Sequence, residues 1–319
     1  MNAAVVQTYD APPIYTTFDA PIAGESEQLV TVVAAGLHQI VKSIANGTHY
    51  LSTGKLPFIP GVDGVGRLSD DTRIYFGGAR FPYGTMCQQT IIGNMMVVPL
   101  PDAVEDAFAA AVANPAMSSW VALDRARFTA GESVLILGAT GTSGQLAVQI
   151  AKARGARHVI AAGRNPEALE KLKTLGADRV ISLTQDRDAL ITDYRSAIAE
   201  CGADIVLDYL WGSAAEATLA AITQRGVIKP GIRVRFVQIG NLAGENISLN
   251  AHTLRSSNLE LIGSGFGSAD LTAIRTAITN FFTLTTTHHF DFSYKTAPLS
   301  DVTALWNEKD QATRLVFQP

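Results

Sequence analysis

The rhythm of apolar and polar positions changes partway along the chain. Before Pro101, short β-branched runs recur at 28–34, 90–92 and 96–99. Turn-forming stretches separate them, among them Ala11-Pro12-Pro13, Gly77-Gly78 and Pro82-Tyr83-Gly84. One helix-periodic stretch, 38–46, interrupts the series. This pattern predicts an all-β or barrel-like first domain. After Pro101 the style shifts. Residues 103–113 are alanine-rich and suit a helix, Pro115 is expected to break it, and 117–128 resumes the pattern. From Ser133 strands and helices alternate. Val134-Leu135-Ile136-Leu137 is an unbroken apolar run, as in a strand buried on both faces of a parallel sheet. Leu146, Ala147, Ile150 and Ala151 then form one helical stripe. Further strands are expected at 158–162, 179–181, 205–207, 234–239 and 259–262, and Asn165-Pro166 reads as a helix cap followed by a first-turn proline. Beyond Ser264 the pattern thins to a helix at 270–282 and a last strand at 314–317. Alternating strand and helix predicts a doubly wound α/β domain.

Composition narrows the class. At 319 residues and 47% apolar, the chain is long enough for two domains that need no disulfide or metal staple. A net charge of −4 leaves no basic footprint for nucleic acid. The two cysteines, Cys87 and Cys201, form no C-x-x-C pair, so neither a zinc ribbon nor a redox motif is expected. Residues 1–7 lack the basic and apolar regions of a signal peptide, and no run is long enough for a membrane span. A cytoplasmic protein is expected, without membrane or nucleic-acid partners.

The sharpest motif is Gly138-Ala139-Thr140-Gly141-Thr142-Ser143-Gly144, placed directly after the buried run and opening a helix. Glycines there permit a tight turn, a close backbone approach to a pyrophosphate and close packing of helix on strand. The helix N-terminus adds free N–H groups and the positive end of its dipole, and Thr142 and Ser143 add hydroxyl donors. Selection between NADH and NADPH falls at the end of the second strand. An acid there would bind a ribose 2′-hydroxyl. This chain instead has Ala161-Ala162-Gly163-Arg164-Asn165, with no acid before Glu167. The planar guanidinium of Arg164 suits a 2′-phosphate, so NADPH is the expected cofactor.

Three stretches give a wider likeness: Pro60-Gly61-Val62-Asp63-Gly64-Val65-Gly66, the 134–152 segment around the glycine turn, and Gly176-Ala177-Asp178 followed by Asp204-Ile205-Val206-Leu207-Asp208. With the order of the two domains, they make the chain resemble the medium-chain dehydrogenase/reductase superfamily, and within it the zinc-independent quinone oxidoreductase branch. The resemblance covers nearly the whole length. It implies a GroES-like β-barrel domain (1–116 and 267–319) and a Rossmann doubly wound parallel-sheet domain (117–266). Relatives are commonly homodimers, which sets the expected assembly. Zinc enzymes of the superfamily carry ligands at positions occupied here by His38, Val62 and, approximately, Asn114. A catalytic zinc normally needs three protein ligands drawn from His, Cys, Asp and Glu. Only His38 and neighbouring Asp63 have suitable donors, so no metal is expected.

Without a metal, the resemblance implies hydride transfer to an acceptor that is already electrophilic, a quinone or an α,β-unsaturated carbonyl. Expected catalytic residues are His38, His49, Tyr50 and Ser118. His38 is either a hydrogen-bond donor titrating near neutrality or a structural histidine. His49 and Tyr50 lie where relatives keep a tyrosine over the substrate, and either is alternatively a loop residue. Ser118 matches a threonine beside the nicotinamide. Asn114 borders the cofactor or caps a helix beginning at Pro115. Gly240 and Asn241, and Gly265 and Phe266, are the remaining expected cofactor contacts, together with Gly138, Thr140, Gly141, Thr142, Ser143, Gly144, Gly163, Arg164 and Asn165. Two alternatives stay open: an enoyl-thioester reductase, and an NADPH-binding protein of low turnover with a structural or regulatory role.

Overall fold

The computed structural model describes residues 1–93, 96–223, 233–308 and 313–319. The chain divides into two compact units, Met1–Asn114 with Leu271–Pro319, and Pro115–Asp270. It has a two-domain α/β fold.

The first unit is strand-rich. Its strands are β1 (Asn2–Val5), β2 (Ile14–Thr17), β3 (Glu27–Gly36), β4 (Asp63–Arg67), β5 (Arg73–Gly77), β6 (Gln89–Gly93) and β7 (Val97–Pro99). A short helix α1 (Gln39–Ala45) follows β3, and α2 (Asp106–Arg125) carries the chain across the limit between the units. β1 and β2 pair antiparallel. β3 is long enough to serve several partners. Residues 27–31 pair with β6, and its second half pairs with β4, with a register shift between Val32 and Ala34. The core gathers Val30, Ile74, Phe76, Met86 and Ile92, all fully buried. Each such side chain contributes about 1.5–3 kcal/mol of burial free energy.

Among its described residues the second unit contains one six-stranded sheet. Its strands are β8 (Val134–Leu137), β9 (Val159–Gly163), β10 (Arg179–Ser182), β11 (Ile205–Asp208), β12 (Val234–Gln238) and β13 (Leu259–Gly263). Between them run α3 (Thr142–Ala153), α4 (Pro166–Thr174), α5 (Arg187–Cys201), α6 (Gly212–Ile222) and α7 (Ala251–Ser256). The sheet order is β10-β9-β8-β11-β12-β13 and every pairing is parallel. Numbered from β8, this is 3-2-1-4-5-6, the Rossmann order, whose reversal point lies between β8 and β11. Ligands of such sheets bind at the carboxyl ends of the strands flanking that point.

The chain then returns to the first unit through α8 (Leu271–Thr285), β14 (Tyr294–Pro298), α9 (Val302–Leu305) and β15 (Arg314–Gln318). β15 lies between β14, which it joins in parallel, and the end of β3, with Val316 opposite Gly36 and Phe317 opposite Ala35.

One expectation needs correction. Pro115 does not break the helix: α2 runs continuously through it. The alternative role of Asn114 as the cap of a helix starting at Pro115 therefore falls, because Asn114 sits mid-helix. A proline inside a helix costs about 3 kcal/mol through its lost N–H and the clash with the preceding turn. Here Ala109, Ala110, Ala111, Val112, Ala113, Ala116, Ala122 and Leu123 are all fully buried. That continuous apolar packing offsets the local penalty.

Candidate active site

The glycine turn starts where β8 ends. Gly138 has φ +84°, a region that disfavours side chains, and a Cβ there would lie 3.0 Å from Leu210 Cδ2. Its N–H and that of Ala139 both donate to the carbonyl of Ala162, at 3.0 and 2.9 Å, which ties the turn to β9. At Gly144 a Cβ would stand 2.4 Å from the carbonyl oxygen of Gly138, so only glycine lets α3 pack this closely on the turn. Gly141 differs. A Cβ there would meet nothing within 4 Å except Gly138 O at 3.6 Å. Gly141 is also the N-cap of α3 and offers no side-chain acceptor to the helix's first N–H groups. An open face above an uncapped helix end fits a pyrophosphate. Gln145 braces the turn from behind, its Nε2 donating to Thr140 O at 3.0 Å.

The second strand supplies the ribose end. Thr140 lies over Gly163, where a Cβ would come within 2.3 Å of its side chain. Arg164 follows, exposed. Asn165 Oδ1 accepts from Ala168 N at 3.0 Å and caps α4, with Pro166 in the first turn. Its oxygen is thus committed to the helix, leaving its amide N–H groups for a ligand.

Past the reversal point, β11 ends in Asp208, which is fully buried. Its Oδ1 accepts from Leu210 N at 2.8 Å and Trp211 N at 3.0 Å, whereas Oδ2 has no hydrogen-bond partner. Burial pushes its pKa up to about 6, against the two backbone donors. The carboxylate holds a strained loop, since Trp211 has φ +58° and Gly212 φ +57°. Leu210 and Tyr209 in that loop are the side chains packed against Gly138. The Tyr209 hydroxyl lies 3.5 Å from Ser118 Oγ, which donates to Pro115 O at 2.8 Å. Gly240 packs on the carbonyl of Tyr209, where a Cβ would be 2.7 Å away, and exposed Asn241 follows it. The sheet thus gathers Ser118, the glycine turn and Gly240 around Tyr209. Gly265 and Phe266 form a separate turn after the edge strand β13, closed by Gly265 N donating to Ser268 Oγ at 2.8 Å. Asp208 and Tyr209 were not among the expected site residues. The sequence offered one signal for Asp208: an acid closing the apolar run Ile205-Val206-Leu207.

In the first unit His38 is buried, whereas His49 is half-buried and Tyr50 exposed. His38 follows β3 and is 2% exposed. Gly36 makes room for its ring, since a Cβ there would sit 2.6 Å from His38 Nε2. That nitrogen is 3.5 Å from Asp63 Oδ1, and neither ring nitrogen has a partner at hydrogen-bond geometry. Burial lowers the pKa of His38 from the ordinary histidine value, opposed by Asp63. Tyr75 donates to Asp63 Oδ2 at 2.7 Å, and Thr85 Oγ1 to Asp63 O at 2.8 Å. Buried Arg314 donates to Leu37 O at 2.9 Å. His49 and Tyr50 lie elsewhere, in the loop after α1, stacked with ring centroids 4.2 Å apart. His49 Nδ1 accepts from Leu51 N, and Tyr50 is 67% exposed.

The metal question rests on the donor set. His38 and Asp63 are the neighbouring pair, and no group of three or more His, Cys, Asp or Glu side chains converges among the described residues. That set does not fit a catalytic zinc.

The strand order and the glycine turn are those of a Rossmann unit. Residues 144–282 match the family model described as zinc-binding dehydrogenase. A probable NADPH-dependent quinone reductase of Emericella nidulans is 28% identical, with all of both chains covered. An NADPH-dependent alkenal/one oxidoreductase of Arabidopsis thaliana is 26% identical over 58% of this chain and 53% of its own length. Among solved structures, the quinone oxidoreductase of Thermus thermophilus is 25% identical with a TM-score of 0.78, and both chains are fully covered. These likenesses mark an oxidoreductase similar to the quinone oxidoreductase-like branch of the medium-chain dehydrogenase/reductase superfamily.

Proposed function

We propose that the chain is an NADPH-dependent reductase that delivers a hydride, without a metal, to a quinone or an α,β-unsaturated carbonyl. The observation that carries the reading is the open glycine turn at α3 combined with Arg164, and no acid, at the end of β9. NADPH supplies the hydride; a proton from solvent or a side chain completes the two-electron reduction. Gly138, Gly141 and Gly144, with Thr140, Thr142 and Ser143, hold the pyrophosphate, and Gly163, Arg164 and Asn165 hold the phosphorylated ribose. Asn114, Ser118, Gly240, Asn241, Gly265 and Phe266 border the remainder of the cofactor. His38, with Asp63 behind it, His49 and Tyr50 belong to the acceptor side. The Pro115–Asp270 unit is the nucleotide-binding domain and the other unit the catalytic one. The acceptor is a small molecule and the assembly a homodimer in the cytoplasm; among the described residues no helix is long and apolar enough to cross a membrane.

A pair of donors too small for zinc favours conjugated acceptors, whose accepting carbon needs only hydrogen bonds to the carbonyl oxygen. The test is NADPH consumption with a benzoquinone, an alkenone and an enoyl-CoA, each with and without a chelator. Consumption with the quinone or the alkenone, unchanged by chelation, is expected. NADPH binding without turnover on any acceptor, or turnover lost on chelation, overturns the reading.

A further inference from the structure

Asp208 joins the segments that surround the proposed pyrophosphate site. In the sheet it stands opposite Leu137, the last residue of β8 before the glycine turn, and opposite Gln238 of β12. Paired strands lie about 4.8 Å apart. Its side chain holds the loop after β11, through Leu210 N and Trp211 N. Its carbonyl oxygen holds the segment after β12, accepting from Ile239 N at 2.8 Å and Gly240 N at 3.1 Å. Tyr209 N in turn donates to Leu137 O at 3.2 Å, and the Tyr209 and Leu210 side chains pack against Gly138.

The carboxyl group is only half used. Oδ2 is buried without a partner, although an ionised carboxylate oxygen is a strong acceptor. Among the described residues Asp208 has no cationic partner. The titratable groups packed around it hold their states. Tyr194 on α5 and Tyr209 keep their protons, burial pushing both pKa values up, that of Tyr209 to about 12. Asp193 on α5 accepts from Arg179 and Gln185, and Glu216 on α6 accepts from Ser248 N. A pyrophosphate on the glycine turn would add negative charge beside this group. Like charges disfavour ionisation, and buried groups are screened little by salt.

We propose that Asp208 is a positioning residue that works protonated: dinucleotide binding draws a proton onto its free oxygen, so that affinity falls as pH rises. The assignment rests on the NADPH site of the reductase reading above. In the free protein Asp208 titrates at about 6, raised by burial against the two backbone donors. In the complex its pKa is higher still, and between the two values the complex holds more protons than the free protein. A further rise of one unit corresponds to about a tenfold loss of affinity from acid to alkaline pH.

Asp208→Asn keeps the acceptor for Leu210 N and Trp211 N and does not ionise. Calorimetric titration with NADPH, in buffers of different ionisation enthalpy, counts the protons taken up. Near pH 6.5 wild type takes up about half a proton more than the variant. At pH 8 the variant binds NADPH about tenfold more tightly, and at pH 5 the two bind alike. The 2′-phosphate of the ligand titrates near pH 6 with both proteins and cancels in the difference. An acceptor with a purely structural role would give weaker or unchanged binding by the variant at every pH. That result, or equal proton uptake, overturns the assignment even if a quinone turns over. Proton-linked binding without turnover on any acceptor leaves the assignment standing, and only the reductase reading fails. No NADPH binding by wild type overturns both.

Discussion

The Tyr75 hydroxyl donates to Oδ2 of Asp63 at 2.7 Å, while the other oxygen of that carboxylate lies 3.5 Å from Nε2 of His38. Asp63 thereby joins a phenol on β5 to an imidazole at the end of β3, all three nearly removed from water. Tyr75 keeps its proton, because burial first and the carboxylate second push its pKa far up.

Tyr75→Phe removes the donor and leaves a buried carboxylate oxygen unsatisfied. Hydrogen bonds to charged groups contribute about 1.5–3 kcal/mol. A loss of stability in that range is expected in urea unfolding. A loss below about 0.5 kcal/mol, the usual scatter of surface substitutions, would show that the bond carries no weight.

Asp208 predicts a pH dependence. Its folded pKa, about 6, lies above the ordinary carboxylate value of 3.8. Between these values the native state holds more protons than the unfolded one, so the contribution present below pH 3.8 is lost as pH rises to 6. Asp208→Asn keeps an acceptor for Leu210 N and Trp211 N and abolishes this loss. Relative to wild type, the variant gains stability between pH 4 and pH 7 by on the order of 2–3 kcal/mol. His38, whose lowered pKa works with the opposite sign, is common to both proteins and cancels in the difference. Parallel stability–pH curves would contradict the assignment.

Two glycines of one turn should behave differently. Gly144→Ala places a Cβ 2.4 Å from Gly138 O, so both thermal stability and NADPH affinity fall. Gly141→Ala meets only Gly138 O at 3.6 Å, so Tm stays near wild type while NADPH affinity falls at least tenfold. Fluorescence titration and thermal melts of the two variants check this. Unchanged affinity in Gly141→Ala would move the pyrophosphate away from this turn.

Arg164→Ala should raise KM for NADPH at least tenfold and leave KM for NADH nearly unchanged, because only the former offers a phosphate to the guanidinium. Steady-state kinetics with the two nucleotides decide it, and equal effects would remove the 2′-phosphate from Arg164.

The second unit was legible where its information is local. Val134–Leu137 reads as a doubly buried strand, and Asn165-Pro166 as a helix start, from neighbouring residues alone. Pro115 misled because its local cost is outweighed by alanines packed along the whole of α2. The surroundings of His38 lay beyond reading for a related reason. Asp63, Tyr75 and Arg314 sit on β4, β5 and β15, and only the sheet brings them near one another. Its burial, and with it the fall in pKa, is set by residues up to nearly three hundred positions away, as in the bond from Arg314 to Leu37.

The place of β15 between β14 and β3 sets a timetable for biosynthesis. The Pro115–Asp270 unit is one uninterrupted segment and can acquire its parallel sheet while translation is still under way. The other unit begins to emerge from the ribosome first and is finished last, because β3 gains its β15 neighbour only after residues 314–318 have been added. Until then, part of the edge of a long, largely apolar strand is without its final partner. During that interval the open edge can pair with other chains, although the strand concerned was among the first to be made.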